Sequence, residues 1–109
     1  MKQVGGNVQA ILQVKATTQN KIGESVESYA DYLFLTGWLD FVSGGTGTDN
    51  YNAIIEESTH VFVCDYVPIP LQESECRLLV NGKAYEITLI DDPMLLHQHL
   101  ELYLKYTGD

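Results

Sequence analysis

His97 and His99 stand two residues apart, a spacing that on a β-strand sends both imidazoles to one face, and His60 with Cys64 would add nitrogen and sulfur from another strand. Such a set is soft enough for zinc, which takes imidazole and thiolate in a tetrahedron. Nothing in the spacing obliges the four groups to converge, and the economical reading is that His97 and His99 satisfy backbone groups in a turn. Asp91-Asp92 and Glu56-Glu57 are adjacent carboxylates, the raw material of acid-base catalysis. Neighbours on a strand point to opposite faces, however, so they make poor partners. Asp91-Asp92-Pro93 reads better as a turn in which an aspartate accepts backbone amide hydrogens. The run Gly44-Gly45-Thr46-Gly47 lacks the lysine and following helix of a phosphate cradle, and no Gly-x-Ser-x-Gly elbow occurs. The expectation is a protein that is not an enzyme, with no catalytic residue, no metal and no cofactor.

The elements that must position these residues read as strands. Asn81-Gly82 lies between two apolar, β-rich stretches and supplies the positive φ angles of a tight hairpin turn. Asp91-Asp92-Pro93 then stops the second of these strands. Beyond it Leu100, Leu102, Leu104 and Tyr106 alternate with Glu101, Tyr103 and Lys105, giving a last strand one dry and one wet face, while residues 94–98 could form one helical turn.

Upstream, Val8 to Thr17 reads as a first strand and Thr18 to Val26 as a turn or hairpin tip. Ser28 to Ser43 is dense in aromatic and branched residues, long enough for one bent strand or two, and Gly37 marks a bulge or bend where another backbone approaches. Ser43 to Asn52 is glycine-rich and polar and reads as a mobile loop, and Ala53 to Ser58 is open between a short helix and an edge strand. Thr59 to Val67 reads as a strand with Val61, Val63, Asp65 and Val67 on one face and His60, Phe62, Cys64 and Tyr66 on the other. Pro68 and Pro70 make the following segment an extended linker over the surface. About six strands at intervals of roughly ten residues predict an all-β fold, a small antiparallel β-barrel with long loops and little helix.

With 109 residues the chain suits one domain over 1–109, and 45% hydrophobic with 19% charged residues is the composition of an ordinary globular protein. No apolar run approaches membrane-spanning length, and the N-terminus lacks the apolar stretch of a secretory signal. The formal charge is −9, from 15 acidic against 6 basic residues. Tight nucleic-acid binding draws on Lys and Arg neutralising phosphates, so it is not expected. Excess carboxylate keeps a chain soluble, and an acidic surface can lie beside DNA without holding it. Cys64 and Cys76 are too few for a disulfide framework and match no zinc or redox spacing, which fits a reducing, cytoplasmic setting. Among the aromatic residues, Trp38 and Phe62 are expected in the core, whereas Tyr103 and Tyr106 on the last strand are candidates for an interface.

Several of these segments recur together in one family. The Ile-Asp-Asp-Pro-Met turn at Ile90 to Met94, the following His99 to Tyr106, the Gly37-Trp38-Leu39-Asp40 element within Asn20 to Val42, and the stretch Asn52 to Tyr66 resemble phage head-closure proteins. These are the small head-tail joining, or stopper, proteins of long-tailed bacteriophages. The resemblance implies a small β-barrel assembled as a homo-oligomeric ring in the virion neck, formed in the host cytoplasm. Portal and adaptor would lie above it and tail proteins below, and packaged DNA would pass through without tight binding. In that family closure is associated with loops pointing into the channel, and composition picks out Gly44, Gly45, Thr46, Gly47, Thr48, Asp49 and Asn50 as the candidate gating loop. The candidate interface is Asp91, Asp92, Pro93, Met94, Tyr103 and Tyr106. Two alternatives stay open. One is a neighbouring ring component, adaptor or tail terminator, of which an adaptor would carry more helix. The other is an oligonucleotide-binding type of barrel in which Trp38 and tyrosines stack bases.

Overall fold

A computed structural model describes residues 5–19, 21–41 and 58–106. Six strands account for most of them: β1 (Val8–Gln19), β2 (Ser25–Phe41), β3 (His60–Asp65), β4 (Cys76–Val80), β5 (Lys83–Asp91) and β6 (His99–Tyr106). Every neighbouring pair is antiparallel, and the sheet closes on itself in the order β1-β2-β3-β6-β5-β4. The described residues contain no α-helix, only two short 3₁₀ turns at Glu73–Glu75 and Pro93–Leu95.

Local sequence explains the joints. Asn81 (φ 51°) and Gly82 (φ 80°) are both left-handed, as a two-residue hairpin of the favoured twist demands, and Val80 pairs with Lys83 across them. β5 ends at Asp91, one residue before Asp92-Pro93. The last strand buries Leu100, Leu102 and Leu104 completely while Glu101, Tyr103 and Lys105 face outward, so the alternation read from sequence holds residue by residue. On β3, Phe62 and Cys64 point inward as expected.

The long second segment is one strand. Its irregularity lies earlier than Gly37, at Tyr32, where β2 gains a residue against Leu12 and Gln13 of β1. A second shift falls at Thr88, opposite Leu104 and Tyr103. These bulges supply the bending that closes six strands into a barrel. Gly37 serves the other half of its expectation, close backbone approach: a Cβ there would lie 2.1 Å from the carbonyl oxygen of Val63 on β3.

Leu12, Phe62, Leu78, Leu102 and Leu104 are fully buried and fill the interior, so the barrel is a packed core and not a conduit. One end gathers the start of β1, the end of β2, the start of β3, the β4–β5 turn and the end of β6, and is here called the upper end. The lower end holds the β1–β2 tip, the β3–β4 connection and the β5–β6 turn. Since β3 and β4 stand opposite each other in the closed order, their connection must cross the lower end. It does so with Val67, Ile69 and Leu71 packed against the core and Pro68 and Pro70 outward. The surface linker is therefore also a lid, tied down where Tyr66 N–H donates to Gln98 O (3.4 Å) and Ile90 N–H donates to the Glu73 carboxylate (3.0 Å).

β1 and β2 outrun the barrel. From Lys15 to Gln19 and Ser25 to Tyr29 they pair with each other alone among the described residues, forming a ribbon that helps give the molecule its 49 × 32 × 24 Å extents.

Candidate assembly surface

The chemistry-bearing residues do not converge. His60 lies at the upper end between Phe41 (ring centroids 4.8 Å) and Tyr85 (5.1 Å), and Tyr85 in turn meets Tyr106 (5.4 Å). Cys64 is buried deeper on the same strand face. His99 bonds Glu101 through Nε2 (3.0 Å) on the outer wall. His97 belongs to the β5–β6 turn and not to the strand, so it shares no strand face with His99. No group of three or more His, Cys, Asp or Glu side chains that could hold a metal occurs among the described residues. The Glu56-Glu57 pair and the candidate loop Gly44 to Asn50 lie outside the described residues.

Both thiols are held protonated. Burial, with Asp65 adding to it, pushes Cys64 up to about 11 from its ordinary value near 9. Burial, then the carboxylates of Glu73 and Glu75, pushes Cys76 up to about 11. Neither is in a disulfide. Because the folded pKa exceeds the unfolded one, the folded chain keeps these protons longer, so stability is full below pH 9 and declines between pH 9 and 11. Each thiol contributes a slope of at most about 1.4 kcal/mol per pH unit there, steepest near pH 10 and smaller for Cys76, which lies nearer to water. Alkylation at pH 8 should run about a hundredfold slower in the native protein than in urea, as mass spectrometry of iodoacetamide adducts would show. Equal rates would contradict the burial of both sulfurs.

The surface that remains is apolar and outward. Because Leu35 and Gly37 face inward, parity sends Phe34, Thr36 and Trp38 outside. Phe34 is 74% and Trp38 47% exposed, so Trp38 is not a core residue as its size suggested, whereas Phe62 is. Cross-strand rows extend this stripe around the wall. Leu79, Ile11 and Phe34 stand side by side on β4, β1 and β2. Val61 and Tyr103 stand side by side on β3 and β6, and the carboxylate of Asp40 on β2 ends that row. Below the first row a polar chain runs across the same three strands: Arg77 Nε donates to Gln13 Oε1 (2.8 Å), Gln13 Nε2 donates to Asp31 Oδ1 (2.8 Å), and the guanidinium lies 4.0 Å above the Tyr29 ring.

The second apolar feature is the β5–β6 turn. Asp92 Oδ1 accepts from His97 N–H (3.0 Å), and Asp92 Oδ2 pairs with the His97 ring. This is the backbone-capping role expected of the Asp-Asp-Pro sequence. The residues between form only the short 3₁₀ turn Pro93–Leu95, and Met94, Leu95 and His97 all take positive φ (55°, 56° and 56°). Met94, Leu95 and Leu96 consequently point into solvent.

The expected interface residues are thus divided. Asp91, Asp92, Pro93 and Met94 sit together at the lower end, Tyr103 lies on the outer wall with its hydroxyl donating to Glu101 (2.8 Å), and Tyr106 lies half-buried at the upper end. Leu95, Leu96 and the Ile11–Leu79 pair were not singled out from sequence, and Phe34 stood only among aromatic residues open between core and interface.

Two solved structures share this architecture. The solution structure of protein SF1141 from Shigella flexneri 2a aligns over 100% of this chain and 99% of its own, with a TM-score of 0.68 at 17% identity. A chain of the virion of a native gene transfer agent particle aligns over 90% of this chain and 91% of its own, with a TM-score of 0.57 at 12% identity. At these identities the likeness is one of fold. No protein-family model matches the chain, and no curated protein matches it.

Proposed function

We propose that this chain is a structural subunit of a phage-like particle, placed in the head-tail connector, where copies form a ring below portal and adaptor, close the DNA channel of the filled head and present a docking surface to the tail. The observation that carries the reading is the closed six-stranded barrel it has in common, over nine-tenths of its length, with a chain of a gene transfer agent virion. The head-closure-like order of sequence motifs supports the same assignment. A packed interior adds to it, since a single barrel has no bore and a channel could only lie between copies. An exposed apolar wall on a chain of charge −9 suits a soluble subunit that buries surface on assembly.

Within the apparatus, an all-β chain fits head closure better than an adaptor, for which more helix is expected. Exposed Phe34 and Trp38 would also suit base stacking, but the chain's charge opposes binding to phosphates. A tryptophan-fluorescence titration with single-stranded DNA at low salt should stay flat, and a saturating curve would favour the nucleic-acid reading.

Gly44 to Asn50 is assigned the gating role. Phe41 and Ser58, which flank the intervening chain, both stand at the upper end. The returning end is firmly held: Thr88 Oγ1 donates its one proton to Tyr103 O (3.0 Å), so Ser58 Oγ donates to Thr88 (2.7 Å), and Thr59 N–H donates to Leu104 O (2.7 Å). Deleting Gly44 to Thr48 should leave the fold and ring intact while filled heads lose DNA, read as a fall of tenfold or so in nuclease-protected genomes. Undiminished protection would remove these residues from closure.

A further inference from the structure

The β5–β6 turn combines two costs that a chain free in water has no reason to bear. Three of its residues, none of them glycine, occupy the left-handed region, at about 1–2 kcal/mol each. That strain holds Met94, Leu95 and Leu96 at 86%, 78% and 56% exposure, a contiguous apolar tip. The turn is braced on both sides, by Leu95 N–H donating to Asp92 O (2.9 Å) and by the His97 ring packed at 4.5 Å from that of Tyr66. A tip already rigid loses little entropy when it docks.

On the far wall lies a groove of about 430 Å³, lined by Ile11, Phe34, Thr36, Leu79, Asn81 and Gly82 among others. None of its lining residues is charged. On a chain of charge −9 that matters, because the tip is flanked by Asp91 and Asp92 and would meet repulsion against most other surfaces of a second copy. In the closed strand order β1, which carries Ile11, stands opposite β6, at whose start the tip lies. A copy therefore cannot fill its own groove, and the two patches face opposite directions, as two neighbours in a ring require.

We propose that copies of this chain join head to tail, with the Met94-Leu95-Leu96 tip of one seated in the Ile11–Phe34–Leu79 groove of the next. This contact deepens the ring reading and rests on it only for closure into a ring. Tip and groove are offset along the barrel, so a closing ring holds each barrel tilted to the ring axis.

Disulfide trapping tests the contact, because both native thiols are buried and both engineered positions are exposed. The variants Leu95→Cys and Phe34→Cys, mixed at high concentration under mild oxidation, should give a mixed dimer about tenfold or more above either homodimer. The double variant should give a ladder of linked copies, while Lys21→Cys mixed with Lys105→Cys gives background only. Homodimers of Leu95→Cys as abundant as the mixed product would overturn the proposal in favour of a two-fold contact. Absence of mixed product would overturn it and leave the tip to a different protein. If sedimentation of the wild-type chain shows rings while no mixed product forms, the contact fails and the ring reading stands. An open ladder with no closed species keeps the contact and counts against the ring.

Discussion

Replacing Gly37 by alanine should destabilise this barrel by about 3 kcal/mol or more, near the upper limit for one added methyl group. The added carbon would lie 2.1 Å from Val63 O and 3.0 Å from Phe62 Cζ, and the first of these is backbone, which cannot swing aside. Relief on the other side is blocked, because Gly6 already brings its own backbone against Gly37, so closely that a Cβ on Gly6 would fall 2.3 Å from Gly37 Cα. The strand must therefore shift away from β3 and lose part of the Gly37–Phe41 ladder that joins β2 to β3. That ladder closes the barrel on this side, so the effect should appear as a lower urea midpoint together with loss of the native near-ultraviolet spectrum. A midpoint within the equivalent of 1 kcal/mol of wild type would contradict the close approach of these backbones.

Phe62→Ala should cost about 3–5 kcal/mol, the cost of removing a buried aromatic ring that its neighbours cannot collapse to replace. Phe62 is wholly buried at the centre of β3, with Leu39 on one side and Leu102 on the other in the register. Phe62→Leu should lose far less, about 1 kcal/mol, since most of the volume is kept. Chemical unfolding of the pair measures the difference, and near-equal losses would mean that the interior is loosely filled. In the proposed assembly a barrel with a solid core can contribute only its walls and ends, not a bore.

Most of the strand pattern was legible because the chain repeats the same physical statement at several levels. On β6 a period of two is uninterrupted from Leu100 to Tyr106, and on the β4–β5 hairpin the turn residues are the ones its geometry requires. Trp38 was misread because size argues for burial while parity argues against it, and parity is fixed by Gly37, whose inward side is visible only once a neighbouring backbone is known. The bulges at Tyr32 and Thr88 had no signature, since either residue suits a regular strand equally well. Residues 94–98 were open to one helical turn, and a short 3₁₀ turn does form at Pro93–Leu95. Its positive φ angles had no sequence signature and go with the Asp92 carboxylate binding both the amide and the ring of His97. The apolar tip was half visible, since Met94 belonged to the expected interface, but Leu95 and Leu96 pass for core residues in any linear reading.

The central claim is that this barrel acts through its outer walls and ends as one of several copies around a channel. An electron cryomicroscopy reconstruction of particles that carry the chain tests it most directly. The account predicts copies of the six-stranded barrel arranged about the axis between head and tail, touching through unlike patches, with DNA or a constriction at the centre and a filled, ligand-free interior in each subunit. A single isolated copy away from that axis, or a barrel interior opened around a bound substrate or metal, would contradict it.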